Sequence, residues 1–222
     1  MTKVRRHIDL SHDVEDGMIT YKGLPGPKIT DFLSREASRA RYAPGTEFQI
    51  GLIEMCSNTG TYLDTPFHRY PDGVDLGGLD LERLADVDAI TIDATGAGPS
   101  IGRDALLSRD VAGKAVLIRT GWDRHWRTDT YFSGHPFLTS EAARHLVEHG
   151  ARIVGIDSFN IDDVSGGERP VHSALLAAGI PICEHLTNLA ALPVDGYRFT
   201  AVPVKVIGMG TFPVRAYATL DT

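Results

Sequence analysis

Asn58, Tyr62, Asp64 and His68 stand at even spacings in the stretch Asn58-Thr59-Gly60-Thr61-Tyr62-Leu63-Asp64-Thr65-Pro66-Phe67-His68. An amide, a phenol, a carboxylate and an imidazole can together stabilise an oxyanion, hold a cation and move a proton, the equipment for attack on an acyl group. In extended chain, residues of like parity share a face, so these four would point one way. A straight strand would still spread the first and last of them over ~33 Å at the usual rise per residue. Gathering them into one site therefore needs bends, for which Gly60 offers unusual dihedrals and Thr65-Pro66 a restricted corner.

Each residue also has a plainer reading. Asp64, before Thr65-Pro66, could satisfy backbone N–H groups in a turn, and His68, before Pro71-Asp72-Gly73, could be an ordinary loop histidine. Tyr62 is either an aromatic plug or a phenolic donor to a substrate carbonyl, and Asn58 either donates its amide to substrate or braces the loop. Nothing local lowers the pKa of Cys56, so it reads as a small apolar group and not as a nucleophile. Trp122, Trp126, Tyr131 and Phe137 could line an apolar pocket or be core. His125, His135, His145 and His149 are expected on loops or solvated helix faces.

The stretch resembles the signature of the Putative cyclase and bacterial kynurenine formamidase family, His-x-Gly-Thr-His-x-Asp-x-Pro-x-His. It keeps Gly60, Thr61, Asp64, Pro66 and His68 and has Asn58 and Tyr62 where the two leading histidines stand. The resemblance extends through Asp9-Leu10-Ser11-His12, Thr120-Gly121-Trp122, Gly155-Ile156-Asp157-Ser158 with Ile161-Asp162, and Glu184-His185-Leu186-Thr187-Asn188-Leu189. It implies a metal-dependent hydrolase with a swivelling β/β/α fold, assembled as a homodimer or larger. It also implies that His68 is the acid/base, and that Asp64, His172 and Glu184 are the surviving metal ligands. Three protein ligands plus water make the common open catalytic site. A neutral Asn amide and a Tyr phenol of pKa ~10 are poor substitutes for imidazole, so a two-metal site is not expected. One ion, with Mn²⁺ or Mg²⁺ as suitable as Zn²⁺, and a metal-free acid–base set both stay open, with Tyr62 and Asn58 stabilising the oxyanion in the second.

The elements that must position these residues read as mixed α/β. Val116 to Arg119 and Ile153 to Ile156 are short β-branched runs, and between them a helix begins at Thr139 or Ser140, shows an apolar stripe over Ala142, Ala143, Leu146 and Val147, and stops at Gly150. Strand, helix and strand in that order predict a parallel pair with a crossover. A second helix is expected over Val171 to Ala178, then a strand through Ile180 to Cys183. Ala201 to Ile207 and Val214 to Thr219 are expected as strands around a turn at Gly208 to Pro213.

No polar linker divides residues 1–222, so one domain is expected. The 22 Lys+Arg against 29 Asp+Glu, a net charge of −7, leave no basic surface for nucleic acid. The basic start Met1 to Arg6 runs into His7, Asp9, His12 and Asp13 where a secretory peptide needs an apolar run, and no membrane-length apolar segment follows. With two cysteines and no Cys-x-x-Cys pair, a cytoplasmic protein is expected. The substrate is then a small molecule. Hydrolysis of an amide, lactam or lactone leads, with cyclisation or dehydration by the same groups and non-catalytic binding as the alternatives.

Overall fold

The computed structural model describes residues 5–221. In chain order the elements are β1 (Arg5–Asp9), β2 (Lys28–Leu33), α1 (Arg35–Ser38), β3 (Ile50–Glu54), β4 (Tyr62–Asp64), α2 (Pro66–Arg69), β5 (Val87–Asp93), β6 (Ser100–Ile101), β7 (Ala115–Arg119), β8 (Phe137–Leu138), α3 (Ser140–Glu148), β9 (Ile153–Ile156), α4 (Pro170–Ala177), β10 (Ile182–Glu184), β11 (Tyr197–Thr200), β12 (Thr211–Pro213) and β13 (Tyr217–Asp221), with short 3₁₀ turns between some of them.

The near-continuous apolar runs of the central strands follow from burial on both faces. Along β7, Val116 and Ile118 point to one core with Ile156, Leu146 and Leu175, while Ala115 and Leu117 point to a second with Leu63, Cys183 and Phe199. Helices α3 and α4 cover the first core. Nine strands form one curled mixed sheet in the order β1-β13-β11-β5-β7-β9-β10-β4-β12. Its centre, β5-β7-β9-β10, is parallel, and every pairing outside it is antiparallel. The parallel pair β7–β9 is joined through α3, as the strand–helix–strand order requires. Thr139 Oγ1 caps α3 by accepting from Ala142 N at 3.3 Å, and Gly150 leaves it at φ +70°.

Beyond the ends of β7 and β9, Asp157 ties two loops together. It accepts from Thr120 N and Oγ1 at 2.6 Å and from Gly121 N at 3.0 Å. Gly155 leaves no room beside it, since a Cβ there would stand 2.6 Å from Leu186 Cδ1 and 2.9 Å from Leu117 Cδ2.

Three expectations are corrected. Residues 201–207 form no strand: Pro203 has no N–H to give a ladder, and Val204 and Ile207 are 59% and 87% exposed. The strand placed at Val214 to Thr219 runs at Tyr217–Asp221, and the supposed turn at Gly208 to Pro213 contains β12. His145 is on α3 but buried and not solvated, because it lies under the ring of His149, while His135 sits on a loop as expected and packs edge-on against Phe159.

Candidate active site

Strand β4 lies between β10 and β12, and its register sets the site. Tyr62 faces Glu184 across β10, and Asp64 pairs with Ile182 on one side and Thr211 on the other. Two bends then gather residues that a straight strand would scatter. Gly60, at φ +66°, turns the chain into β4. After Asp64 the extended Thr65 leads into α2 with Pro66 at its first position, where a missing N–H costs nothing. The turn of α2 brings His68 Nε2 to 3.8 Å from Asp64 Oδ1.

His172 arrives from α4, which Pro170 opens. Asp162 accepts from Val171 N at 2.8 Å and His172 N at 2.9 Å, which caps the positive end of the helix, and from His172 Nδ1 at 2.7 Å. One carboxylate thus fixes both the helix start and the imidazole orientation, leaving Nε2 directed at Asp64 Oδ2, 3.6 Å away, and Glu184 Oε1, 3.7 Å away. Glu184 is held by Ile161 N on Oε1 at 2.7 Å and by the Tyr62 hydroxyl on Oε2 at 2.5 Å. Asn58 Oδ1 accepts from Thr211 Oγ1 at 3.1 Å.

These charges are buried. Burial by itself opposes protonation of His172, but the Asp162 hydrogen bond and the Asp64 and Glu184 carboxylates outweigh it and push its pKa up to about 10. Burial raises Glu184 above the ordinary carboxylate range, with His172 opposing and Asp64 adding to the rise. Tyr62 is raised well above its usual value, first by burial and then by Glu184 and Asp64, so it stays a neutral O–H donor. Both Asp64 oxygens are buried without a hydrogen-bond donor, and the His172 ring 3.6 Å away is shared with Glu184 and Asp162, so carboxylates outnumber the cation in the buried cluster.

A bound metal ion would offset that imbalance. Asp64, His172 and Glu184 each offer a ligand atom, all within 4.8 Å of one another. Ligands about 2.1 Å from a tetrahedral ion stand about 3.4 Å apart. The observed 3.6 and 3.7 Å spacings lie close to that edge. A ligating histidine anchored through its other nitrogen by a carboxylate is the usual supporting arrangement, and Asp162 provides it. The residues present therefore fit one divalent ion. The Tyr62 phenol fills the place beside Glu184 with a protonated oxygen, a poor ligand for a second.

Above this triad opens a cavity of about 910 Å³, lined in part by Tyr21, Asn58, Tyr62, His68, Arg69 and Arg169 as well as His172 and Glu184. All six residues singled out in the sequence thus lie at one place. The aromatic expectation does not fit this cavity: Trp122, Trp126, Tyr131 and Phe137 are not part of its lining. Tyr131 is buried against Phe159 and Trp126, and Trp126 stacks on His12 at 3.9 Å, so large apolar rings fill an internal cluster instead. Sequence reading missed Asp162 as the partner of His172, the Ile161 N–H on Glu184, and the cations at the cavity mouth. The only sequence sign of Asp162 is its place in Ile161-Asp162, which says nothing about which side chain it will hold.

Gly210 adds a positioning constraint. A Cβ at this residue would stand 2.4 Å from His68 N and 2.5 Å from His68 Cα, while Gly210 O accepts from Thr65 N at 2.8 Å. Gly210→Ala must therefore push α2 outward. A loss of about 1–3 kcal/mol from overpacking is expected in denaturant melts. A fall of roughly a hundredfold in kcat/KM is expected if His68 moves by about 1 Å.

Fold and site together define a hydrolase with a buried triad able to hold a divalent metal. The structure superposes on a potential metal-dependent hydrolase with cyclase activity at TM-score 0.80, with 26% identity over 99% of this chain and 100% of that one. The chain belongs to the Putative cyclase family, whose match spans residues 8–163 and so includes Asn58, Tyr62, Asp64 and His68 but stops before His172 and Glu184. It is similar to the kynurenine formamidase of Geobacillus thermodenitrificans, 29% identical over 211 residues covering 94% of this chain and 95% of that protein. The Bacillus cereus kynurenine formamidase is 28% identical over 221 residues, 96% and 97% of the two chains. An isatin hydrolase bound to the product analogue thioisatinate shares the fold at TM-score 0.81, with 21% identity over 98% of this chain and 93% of that one.

Proposed function

We propose that this protein hydrolyses the amide C–N bond of a small aryl formamide or lactam, with one divalent cation held by Asp64, His172 and Glu184. The observation that carries the reading is the buried triad, with two donor-free Asp64 oxygens, at the floor of a cavity of about 910 Å³. Full-length similarity to kynurenine formamidases supports the choice of bond.

When bound, the cation supplies Lewis acidity toward the amide carbonyl and toward a water nucleophile. The chain does the rest. His68, 39% exposed at the cavity and 3.8 Å from Asp64, takes the proton from the attacking water and returns it to the nitrogen as the C–N bond breaks. Asp162 keeps the His172 ring in place throughout. Tyr62 holds Glu184 and keeps its own proton, and the Asn58 amide, anchored through Oδ1 by Thr211, donates to the Tyr62 oxygen and braces that contact beside the substrate.

The test is elemental analysis of the purified protein combined with an assay of N-formylkynurenine and formanilide hydrolysis. One ion per chain is expected, with turnover lost on chelation and recovered on adding Mn²⁺ or Zn²⁺. Full turnover in metal-free protein would leave the acid–base set alone responsible. No turnover of either amide after metal is restored would favour a binding role for the cavity.

The same reading includes a homodimer. Hairpin β2–β3 exposes Phe32 at 70%, Leu52 at 54% and Ile53 at 55%, and Phe48 beside it at 51%. A two-stranded ribbon is marginally stable alone, and an apolar patch of this kind marks an interface. Sedimentation at micromolar concentration is expected to give a dimer or larger; a monomer throughout that range would count against it.

A further inference from the structure

We propose that His145 and His149, one turn apart at the C-terminal end of α3, form a second cation site on this protein, a structural one that takes Cu²⁺, Ni²⁺ or Zn²⁺. The site is independent of the amide-hydrolase reading, and neither histidine lines the cavity.

The run His145-Leu146-Val147-Glu148-His149 sets two imidazoles four residues apart, and on a helix such residues are neighbours on one face. Two histidines at this spacing recur in helical zinc sites. Here the rings do meet, with centroids 4.0 Å apart and planes inclined by 31°. Among the described residues the one other pair of histidine rings in contact is His68 with His172 at 6.2 Å, and that pair belongs to the active site. His149 Nδ1 lies 2.9 Å from His145 O. A carbonyl oxygen only accepts, so Nδ1 carries the proton and Nε2 keeps its lone pair for an ion. The same kind of support, a hydrogen bond through the other ring nitrogen, orients metal-binding histidines generally. His145 is only 6% exposed, yet its side chain makes no hydrogen bond among the described residues and neither ring nitrogen is closed off from solvent. Both rings therefore hold a nitrogen ready for coordination on one side of the helix.

The position on the helix favours a cation. Helix α3 ends at Glu148 with His149 as its cap, so the last carbonyls and the negative end of the helix dipole lie beside the pair. The charged groups facing His145 are Arg103 and Glu148, one of each sign, which leaves the imidazoles and the helix end to decide. No third His, Cys, Asp or Glu joins the two within ligand reach among the described residues. Water then completes the coordination. Paired imidazoles favour Cu²⁺, then Ni²⁺ and Zn²⁺, over Mn²⁺ and Mg²⁺, the reverse of the preference of an oxygen-rich set. An ion bridging this turn fastens the end of α3, the crossover between β7 and β9, and stabilises the folded state by mass action.

The test uses the full chain with Asp64→Asn, which silences the triad, alone and combined with His149→Gln, His145→Gln or, as a control on a lone exposed histidine, His7→Gln. Calorimetric titration with Ni²⁺ is expected to give one ion per chain, weakened at least roughly tenfold by His149→Gln and unchanged by His7→Gln. Cu²⁺ on the Asp64→Asn chain should show electron-spin-resonance splitting from two nitrogens, reduced to one by His149→Gln. Ni²⁺ should raise the melting temperature of the Asp64→Asn chain but not of its His149→Gln derivative, and Mn²⁺ should raise neither. His149 is exposed, so its replacement leaves folding intact and decides the matter even where His145→Gln lowers the metal-free melting temperature. Absence of Ni²⁺ binding, equal affinity after His149→Gln, an equal loss after His7→Gln, or a one-nitrogen Cu²⁺ spectrum before substitution would each overturn the site.

Discussion

Asp64→Asn is expected to abolish metal uptake and to lower kcat/KM by roughly a thousandfold or more, while leaving the metal-free protein at least as stable as the wild type. The two halves of this expectation have one cause. Asp64 is fully buried, and neither carboxylate oxygen accepts a hydrogen bond. Three buried carboxylates, Asp64, Asp162 and Glu184, share the single His172 cation, so neutralising one of them relieves the fold when no metal is present. With a cation the sign reverses, because the neutral amide is a poorer ligand and the triad falls to His172 and Glu184. Thermal melts with chelator and with saturating Mn²⁺ or Zn²⁺ separate the two effects. The wild type should gain stability with metal as RT ln(1 + [L]/Kd), and the variant should not. An equal metal-induced shift in both proteins would remove Asp64 from the centre.

Asn58→His together with Tyr62→His is expected to raise zinc affinity by about a hundredfold or more, since imidazole binds Zn²⁺ far better than an amide oxygen or a protonated phenol. Tyr62 stands across from Glu184 in the β4–β10 register and its hydroxyl ends 2.5 Å from Glu184 Oε2. Imidazole introduced there would offer nitrogen to an ion that Glu184 already helps to hold. Burial and the neighbouring carboxylates keep the native phenol protonated, so it does not compete for the ion. Both substitutions should be needed. One histidine adds a single donor, whereas the pair builds a second set around the retained Asp64, His172 and Glu184. The Tyr62→His change also frees Glu184 Oε2, so the double variant should lose native turnover that depends on the Tyr62–Glu184 contact. Calorimetric zinc titration of the native, single and double variants is the measurement. Equal affinity in all four would mean that the surrounding loop, and not these two side chains, sets the preference.

Local chemistry was enough for the parts of this protein that repeat along the chain. The β-branched runs at Val116 and Ile153, the capping Thr139 and the terminating Gly150 specify strand, helix and strand by propensity and periodicity, because each depends on neighbours a few residues away. Gly60 and Pro66 likewise announce bends, since the restriction lies in the residue itself. What these signals leave open is where a chain segment finds partners. Residues 201–207 are apolar enough for a strand, yet after Ala201 N donates to Leu84 O, Pro203 breaks the run before a ladder can form. The short β12 begins three residues after Gly208 because β4 presents a free edge there.

The site divides in the same way. Asn58, Tyr62, Asp64 and His68 are visible as a group because they are near in sequence, and His172 and Glu184 joined them through resemblance and not through spacing. Tertiary structure alone decides that Tyr62 meets Glu184, that Asp162 orients His172 and that Asp64 lacks any donor. These contacts join residues up to 122 positions apart. Their energies come from burial and from the register of β4 against β10, quantities that exist only once the sheet has closed.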